Sequence, residues 1–389
     1  PGGWYARPRM KVIGSGIDVT ILSLAPNSST SQHYFAVGHP LPGASGWSVD
    51  AFEISDLTID CGLPNLAGSG MDAAAGAVRI LGSNARIRRV RAINFGTTTP
   101  STTVAPHYKC FVFSILTASP DSFPTAEVVN AGMEDCIAVS PAVLPAVGGR
   151  VTLFNVGGQD DLAFTKELHG KSPFIRNCYA DCSTDISGNP VVTTPSITNP
   201  RVYGISMGWC RGGVAEGNQI YNVDVGGPFQ ELRSVRDLIV RNNFYKNVAR
   251  GVHLFLGQGL TPQTGTAKAI AWAGQLGTID PAWLNASLLL DGDRVLVSTS
   301  SSSVTGVYVI QSVSPTSFKI LYAGGAPPAA NVTGITKFLG VGRATMEGNI
   351  IELAGVSVAA NAGIAFELDD RSTQPASSLT PDYVHGDMI

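Results

Sequence analysis

The chain has 389 residues, 26 basic and 29 acidic side chains, a formal charge of −3 and only 14% charged residues. That balance argues against the basic face of a nucleic-acid binder, and a 44% hydrophobic content argues against long disorder. With 44 glycines, 24 prolines and no apolar run near about 18 residues, the composition is that of a turn-rich β protein without a membrane-spanning helix.

The chain opens Pro1-Gly2-Gly3-Trp4-Tyr5, with no initiator methionine or leader, and ends at Ile389 inside what reads as a new strand. It reads as a processed or partial chain. Scarce lysine with abundant Ser, Thr and Asn is the style of exported proteins, so an extracellular or cell-surface setting is expected. Six cysteines, Cys61, Cys110, Cys136, Cys178, Cys182 and Cys210, form no CxxC pair and have no histidine at zinc-ligand spacing. They sit in apolar strand-like runs and are expected as buried thiols, although an oxidising compartment permits a bridge.

Taken in chain order, strand-like phrases recur. Val12–Leu22 comes first, then Phe52-Glu53-Ile54-Ser55-Asp56-Leu57-Thr58-Ile59-Asp60-Cys61, then Ala85–Phe95, then Pro173–Cys182. The clearest pair is Gly213–Gly227 over Asp237–Gly251. At an offset of 25 residues Asn218 falls on Asn243, Asn222 on Asn247 and Val223 on Val248. Arg343–Leu353 repeats the phrase and places Asn349 at the Asn218 position. Each unit is too short to bury its alternating apolar set alone, so units of about 20–25 residues must stack. Asparagine suits the corners because it tolerates left-handed backbone angles and its amide can bond the next copy. The expected fold is all-β, a parallel β-helix over residues 1–257 and 341–389. A β-propeller is the rival, requiring antiparallel blades of about 40–45 residues.

Between 258 and 340 the repeat stops. Asp291–Ser298, Gly306–Val313 and Ser317–Tyr322 alternate as three strands between Ser/Pro/Gly turns. They predict an inserted small β-meander or barrel, either a spacer or a sugar-binding or partner-binding module. Trp272 and Trp283 are either its core or a sugar-stacking pair.

The phrases Gly14-Ser15-Gly16 before Thr20-Ile21-Leu22, Gly217-Asn218-Gln219-Ile220, Arg241-Asn242-Asn243 and Glu347-Gly348-Asn349-Ile350 resemble rungs of the pectate-lyase-like superfamily. The resemblance implies a right-handed solenoid. It leaves activity open, since that superfamily includes lyases, hydrolases, phage tailspikes and non-enzymatic surface proteins.

Three clusters carry candidate chemistry. The segment 157–171 supplies Asp160, Asp161, Lys166, Glu167 and His169. Neighbouring acids there suit a catalytic proton or a calcium ion. Gln159-Asp160-Asp161 and His169-Gly170 are similar to fragments of the polygalacturonase pattern, as is Glu134-Asp135-Cys136-Ile137-Ala138. The alternative is Glu231, Arg233 and Arg236, residue types a β-elimination lyase uses as base and charge neutraliser. The third is Glu367, Asp369, Asp370 and Arg371. Each is also readable as a solvated corner. His253, alone in an apolar strand, reads as a satisfied core side chain. Arg86, Arg88, Arg89 and Arg91 read as a solvated face or a contact for an acidic polymer. No other cofactor motif is visible. Two functions are therefore expected to compete. One is a secreted polysaccharide-directed protein, a glycoside hydrolase or polysaccharide lyase. The other is a non-catalytic adhesive, filament or tailspike-type rod that self-associates.

Overall fold

The computed structural model of the chain describes residues 4–23, 33–38, 48–62, 74–97, 109–116, 128–142, 150–157, 170–191, 194–196, 200–208, 210–228, 235–255, 258–259, 263–286, 289, 291–339, 343–354, 362–367 and 383–385. Among these, every regular element is a strand.

Outside the segment 258–339 most of the described strands stack in three parallel ladders, visited in the same order on each turn; Gly96–Thr97 instead pairs antiparallel with Ala74–Ala75, and three two-residue strands form a short ladder of their own. The first ladder runs through Lys11–Ile13, the start of Glu53–Asp60, the start of Arg86–Ile93, Gly132–Glu134, Phe174–Arg176, Val214–Glu216, Leu238–Arg241, Arg343–Glu347 and Tyr383–His385. The second runs through Ile21–Ser23, the later halves of the same two long strands, Ile137–Val139, Tyr179–Asp181, Gln219–Val225, Phe244–Phe255 and Ile350–Leu353. The third includes Ala74–Leu81, Lys109–Leu116, Arg150–Gly157, Val202–Met207, the later halves of Gln219–Val225 and Phe244–Phe255, and Ala362–Glu367. This is a parallel β-helix with three faces. The propeller is rejected, because the stacked phrases pair in parallel.

Alternation decides which side chains enter the solenoid. On the first face Val12, Ile54, Ile87, Met133, Ile175, Ala215, Val240 and Met346 form one inward column, rung upon rung. Burial of each large member contributes about 1.5–3 kcal/mol. The 25-residue repeat is the shortest rung and not the general one. Successive first-face positions Glu53, Arg86, Gly132, Phe174, Val214 and Ile239 are 33, 46, 42, 40 and 25 residues apart. The additional length lies between strands, at corners.

The corner between the first and second faces is turned by one left-handed residue per rung. These are Asp56 (φ 60°), Arg89 (48°), Asp135 (54°), Asn177 (51°), Gly217 (66°), Asn242 (55°) and Gly348 (61°). Asp, Asn and Gly accept this region at low cost. Arg89 is not of that type, and a two-pronged contact with Asp56 of the preceding rung, at 2.6 and 2.8 Å, holds it. The next residue points inward, and here Asn218, Asn243 and Asn349 stack as expected. The Asn218 side-chain amide donates to Asn243 Oδ1 at 2.8 Å and that of Asn243 to Asn349 Oδ1 at 2.9 Å. The Cys178 backbone N–H donates to Asn218 Oδ1, continuing the ladder into an earlier rung. All six cysteines are buried and unbridged.

The described residues of 258–339 form an eight-stranded antiparallel sheet with its own apolar cluster, including Val295, Val297, Phe318 and Ile320. Three of its strands, Arg294–Thr299, Gly306–Val313 and Phe318–Leu321, match the alternation read from sequence. Trp272 and Trp283 pack against this cluster. Trp272 also meets Tyr322 edge-on at 5.9 Å, and Trp283 donates Nε1–H to the Thr266 carbonyl.

Candidate functional site

Asp160, Asp161, Glu167 and His169 lie outside the described residues, as do Glu231, Arg233, Asp369, Asp370 and Arg371. What is described is where their segments are anchored. Segment 158–169 leaves Gly157 at the end of a third-face strand and re-enters at Gly170–Lys171. Segment 229–234 follows Pro228 and re-enters at Val235–Arg236. Gly170–Lys171, Cys210–Arg211 and Val235–Arg236 form one short parallel ladder. The two rival segments therefore return to the same corner of the solenoid, two rungs or about 10 Å apart. Of the seven leading candidates, only Arg236 has a described backbone position.

The first face carries an outward charge ladder. Arg88, Glu134, Arg176, Glu216, Arg241 and Glu347 stand in register, alternating in sign. Ion pairs join Arg88 to Glu134 at 2.5 Å, Arg176 to Glu216 at 3.5 Å and Arg241 to Glu216 at 2.8 Å. The remaining basic run is also engaged. Arg86 lies over the Phe174 ring, Arg89 grips Asp56 and Arg91 meets Asp18. The Arg89 hydrogen bond holds the Asp56 carboxyl below its ordinary pKa. Among the described residues these charges are engaged within the chain.

The second face carries an outward aromatic strip. Tyr179 is in register with Gln219, Gln219 with Phe244, and Tyr221 with Asp181 and Lys246. The three rings thus zigzag over three consecutive rungs. Tyr179 and Tyr221 have centroids 5.5 Å apart, and Tyr221 and Phe244 are 5.6 Å apart. All three are half-buried. Ile350, the next residue in the Phe244 column, is 56% exposed and Leu353 is 40% exposed. Polar groups flank the rings. Tyr221 donates its hydroxyl to Gln219 Oε1, and Lys246 pairs with Glu352. Sequence reading missed this strip, although the alignment of Gln219 over Phe244 contained part of it.

The third face carries two partly polar columns that are mostly buried. Thr152, Tyr203, Val225 and Arg250 form one column, with Ser114, Asn155 and Ser206 in a second. Asn155 donates to Ser114 Oγ at 2.9 Å, and the Arg150 guanidinium covers the Tyr203 ring at 4.0 Å. His253 is buried, and a ring nitrogen lies 2.9 Å from Arg250. Its neighbours Val252 and Leu254 enter the core, so His253 points the other way. Asp224 accepts backbone N–H groups of Ser196, Arg201 and Val202 at 2.6–2.8 Å, tying residues 194–196 and 200–202 to the solenoid. Burial pushes its pKa up against the pull of those donors. Among the described residues no three His, Cys, Asp or Glu side chains are grouped to hold a metal ion, and no helix is long and apolar enough to cross a membrane.

No protein-family model and no curated protein matches the chain. Among solved structures, the Pseudomonas phage phi297 tailspike gp61 is similar at 12% identity, over 87% of each chain, with a TM-score of 0.17. A score that low decides nothing, and the fold stands on the chain's own strand pairings.

Proposed function

We propose that the chain is an extracellular or surface β-helix protein of the pectate-lyase-like kind that binds a polysaccharide along its solenoid. The observation supporting this is the half-exposed strip of Tyr179, Tyr221 and Phe244 on consecutive rungs. Aromatic faces offer apolar area with polar neighbours at the edge, which suits sugar rings, and a row along the axis suits an extended chain. We place chemistry at the corner to which both candidate segments return. Asp160 and Asp161 would work there as acid and base in hydrolysis, with Glu167 and His169 alongside and calcium as the cation such acids would take. Glu231, Arg233 and Arg236 are the elimination alternative. The insertion, over 258–340, is read as a modular spacer or partner-binding unit.

A second reading, a non-catalytic self-associating rod, draws on the first face, whose self-neutralised ladder stiffens the solenoid without offering a ligand site. One experiment separates the two. The protein is run through a polysaccharide panel by affinity electrophoresis, and the mixtures are assayed for reducing ends and unsaturated uronates. We expect retardation by at least one glycan, weakened about tenfold for each ring lost in Tyr179→Ala, Tyr221→Ala and Phe244→Ala, or about 1.4 kcal/mol. No retardation and no product across the panel would overturn the polysaccharide reading in favour of the rod.

A further inference from the structure

Two charge columns lie five residues apart in the same rungs and follow opposite rules. In the first-face column each cation faces an anion, as in Arg176, Glu216 and Arg241. Five residues upstream stand Lys171, Arg211 and Arg236, also in register, and all three are cationic. The position in the preceding rung is Val129, so the cationic run begins at Lys171. The Lys171 and Arg211 side chains are exposed. Among the described residues neither is in an ion pair. Adjacent rungs are about 4.8 Å apart, and like charges directly opposite on neighbouring strands repel. Among the described residues the nearby column carries a counter-charge at every rung from Arg88 to Glu347, and this column carries cations alone.

We infer that the Lys171, Arg211 and Arg236 column is a binding rail for the acidic groups of a glycan, an assignment that rests on the polysaccharide reading above. A chain lying along the solenoid axis with an acid group on successive sugars meets a cationic position on each of three rungs. Its charge supplies the missing alternation. Arginine adds a planar fork matched to carboxylate or sulfate. The column runs from Lys171, where segment 158–169 re-enters the solenoid, to Arg236, where segment 229–234 does. The ligand is a glycan and not a nucleic acid, because the chain is net negative, with 26 basic against 29 acidic side chains.

The test is affinity electrophoresis of the full chain at about 50 and 200 mM salt with four probes: polygalacturonate, heparin, dextran and double-stranded DNA. The comparison is between the unmodified protein, the double variant Lys171→Gln/Arg211→Gln and the charge-keeping Lys171→Arg. We expect an acidic glycan to bind better than dextran. The double variant should weaken that binding about tenfold and flatten its salt dependence by about one unit per cation removed. Lys171→Arg should keep both. Polygalacturonate against heparin tells carboxylate from sulfate recognition. Unfolding of the double variant at low salt should occur at an equal or higher midpoint, since a repulsion is removed. Unchanged affinity and salt dependence in the double variant overturns the inference. So does DNA bound as tightly as the glycan. Dextran bound as tightly as the acidic glycans overturns the inference alone and leaves the polysaccharide reading standing. Failure of every glycan overturns both.

Discussion

Asn243 donates its side-chain amide to Oδ1 of Asn349 at 2.9 Å, although 106 residues separate them in sequence. The equivalent bond from Asn218 to Asn243 spans only 25 residues and measures 2.8 Å. The corner therefore continues in step across the insertion as it does between uninterrupted rungs. Deleting 258–340 and joining the flanks should leave a solenoid that unfolds in one cooperative transition. Denaturant unfolding followed by circular dichroism checks this, and a broad or lost transition would show that the insertion is needed to build the rungs on either side.

The same ladder sets a stability prediction. Asn243 donates to the Ala215 carbonyl and to Asn349, and accepts from Asn218. Asn243→Ala leaves buried groups without partners, a cost of about 1–3 kcal/mol. Asn247→Ala, which breaks one bond to Asn222 at a half-buried corner, should cost less. Urea midpoints of the two variants should fall in that order, and equal losses would remove the special role of the inner corner.

Acid should act on the Asp56–Arg89 pair. Arg89 lowers the folded-state pKa of Asp56 below its ordinary value of 3.8. The pair's contribution is then complete above that ordinary value and disappears as pH falls through the lowered one. Exposed pairs of this kind contribute about 0.2–1 kcal/mol. Asp56→Asn keeps a residue that tolerates φ 60° and removes only the charge. The variant should be less stable than the parent at pH 7 and should match it in strong acid. A stability difference that persists or grows in acid would refute the electrostatic account.

The thiols should be silent in the folded protein. Burial pushes the Cys110 and Cys210 pKa values up to about 12 and raises those of Cys61, Cys178 and Cys182 as well. Since the thiolate is the reactive form, native protein at pH 8 should resist alkylation, whereas denatured protein should take up six labels. Mass spectrometry reads the result directly. Rapid labelling of any of the six in the native state would contradict the burial.

On a substrate found by the glycan panel, Asp160→Asn with Asp161→Asn should abolish most turnover while stability stays within about 0.5 kcal/mol. Full retained turnover would shift the assignment to Glu231, Arg233 and Arg236.

The parallel stacking was legible in sequence because Asn218, Asn243 and Asn349 mark one corner with the same residue. The three alternating strands of the insertion were legible for the usual reason, one apolar face each. Gln263–Ala269 was not, because nearly all its side chains are exposed and no alternation exists to read. The aromatic strip was hidden by unequal rungs. Tyr179, Tyr221 and Phe244 are separated by 42 and 23 residues and share no period, and only strand register brings them together. The cationic column was hidden similarly: Arg236 was noticed for its type, but Lys171 and Arg211 join it only through pairing. The acids of 158–169 were chosen on residue type and local phrase, and their anchoring corner is what the fold adds.

Unequal rungs have a further meaning. Between Met207 and Cys210 two residues turn the corner, while twelve lie between Gly157 and Gly170, yet the strands on both sides remain in register. Spine geometry is thereby uncoupled from corner length. Segments of different size and chemistry can be exchanged at this edge, as cards are in a rack, without re-solving how the rest of the chain folds. Change in what the protein grips therefore has a place to occur at little cost to the solenoid that holds it.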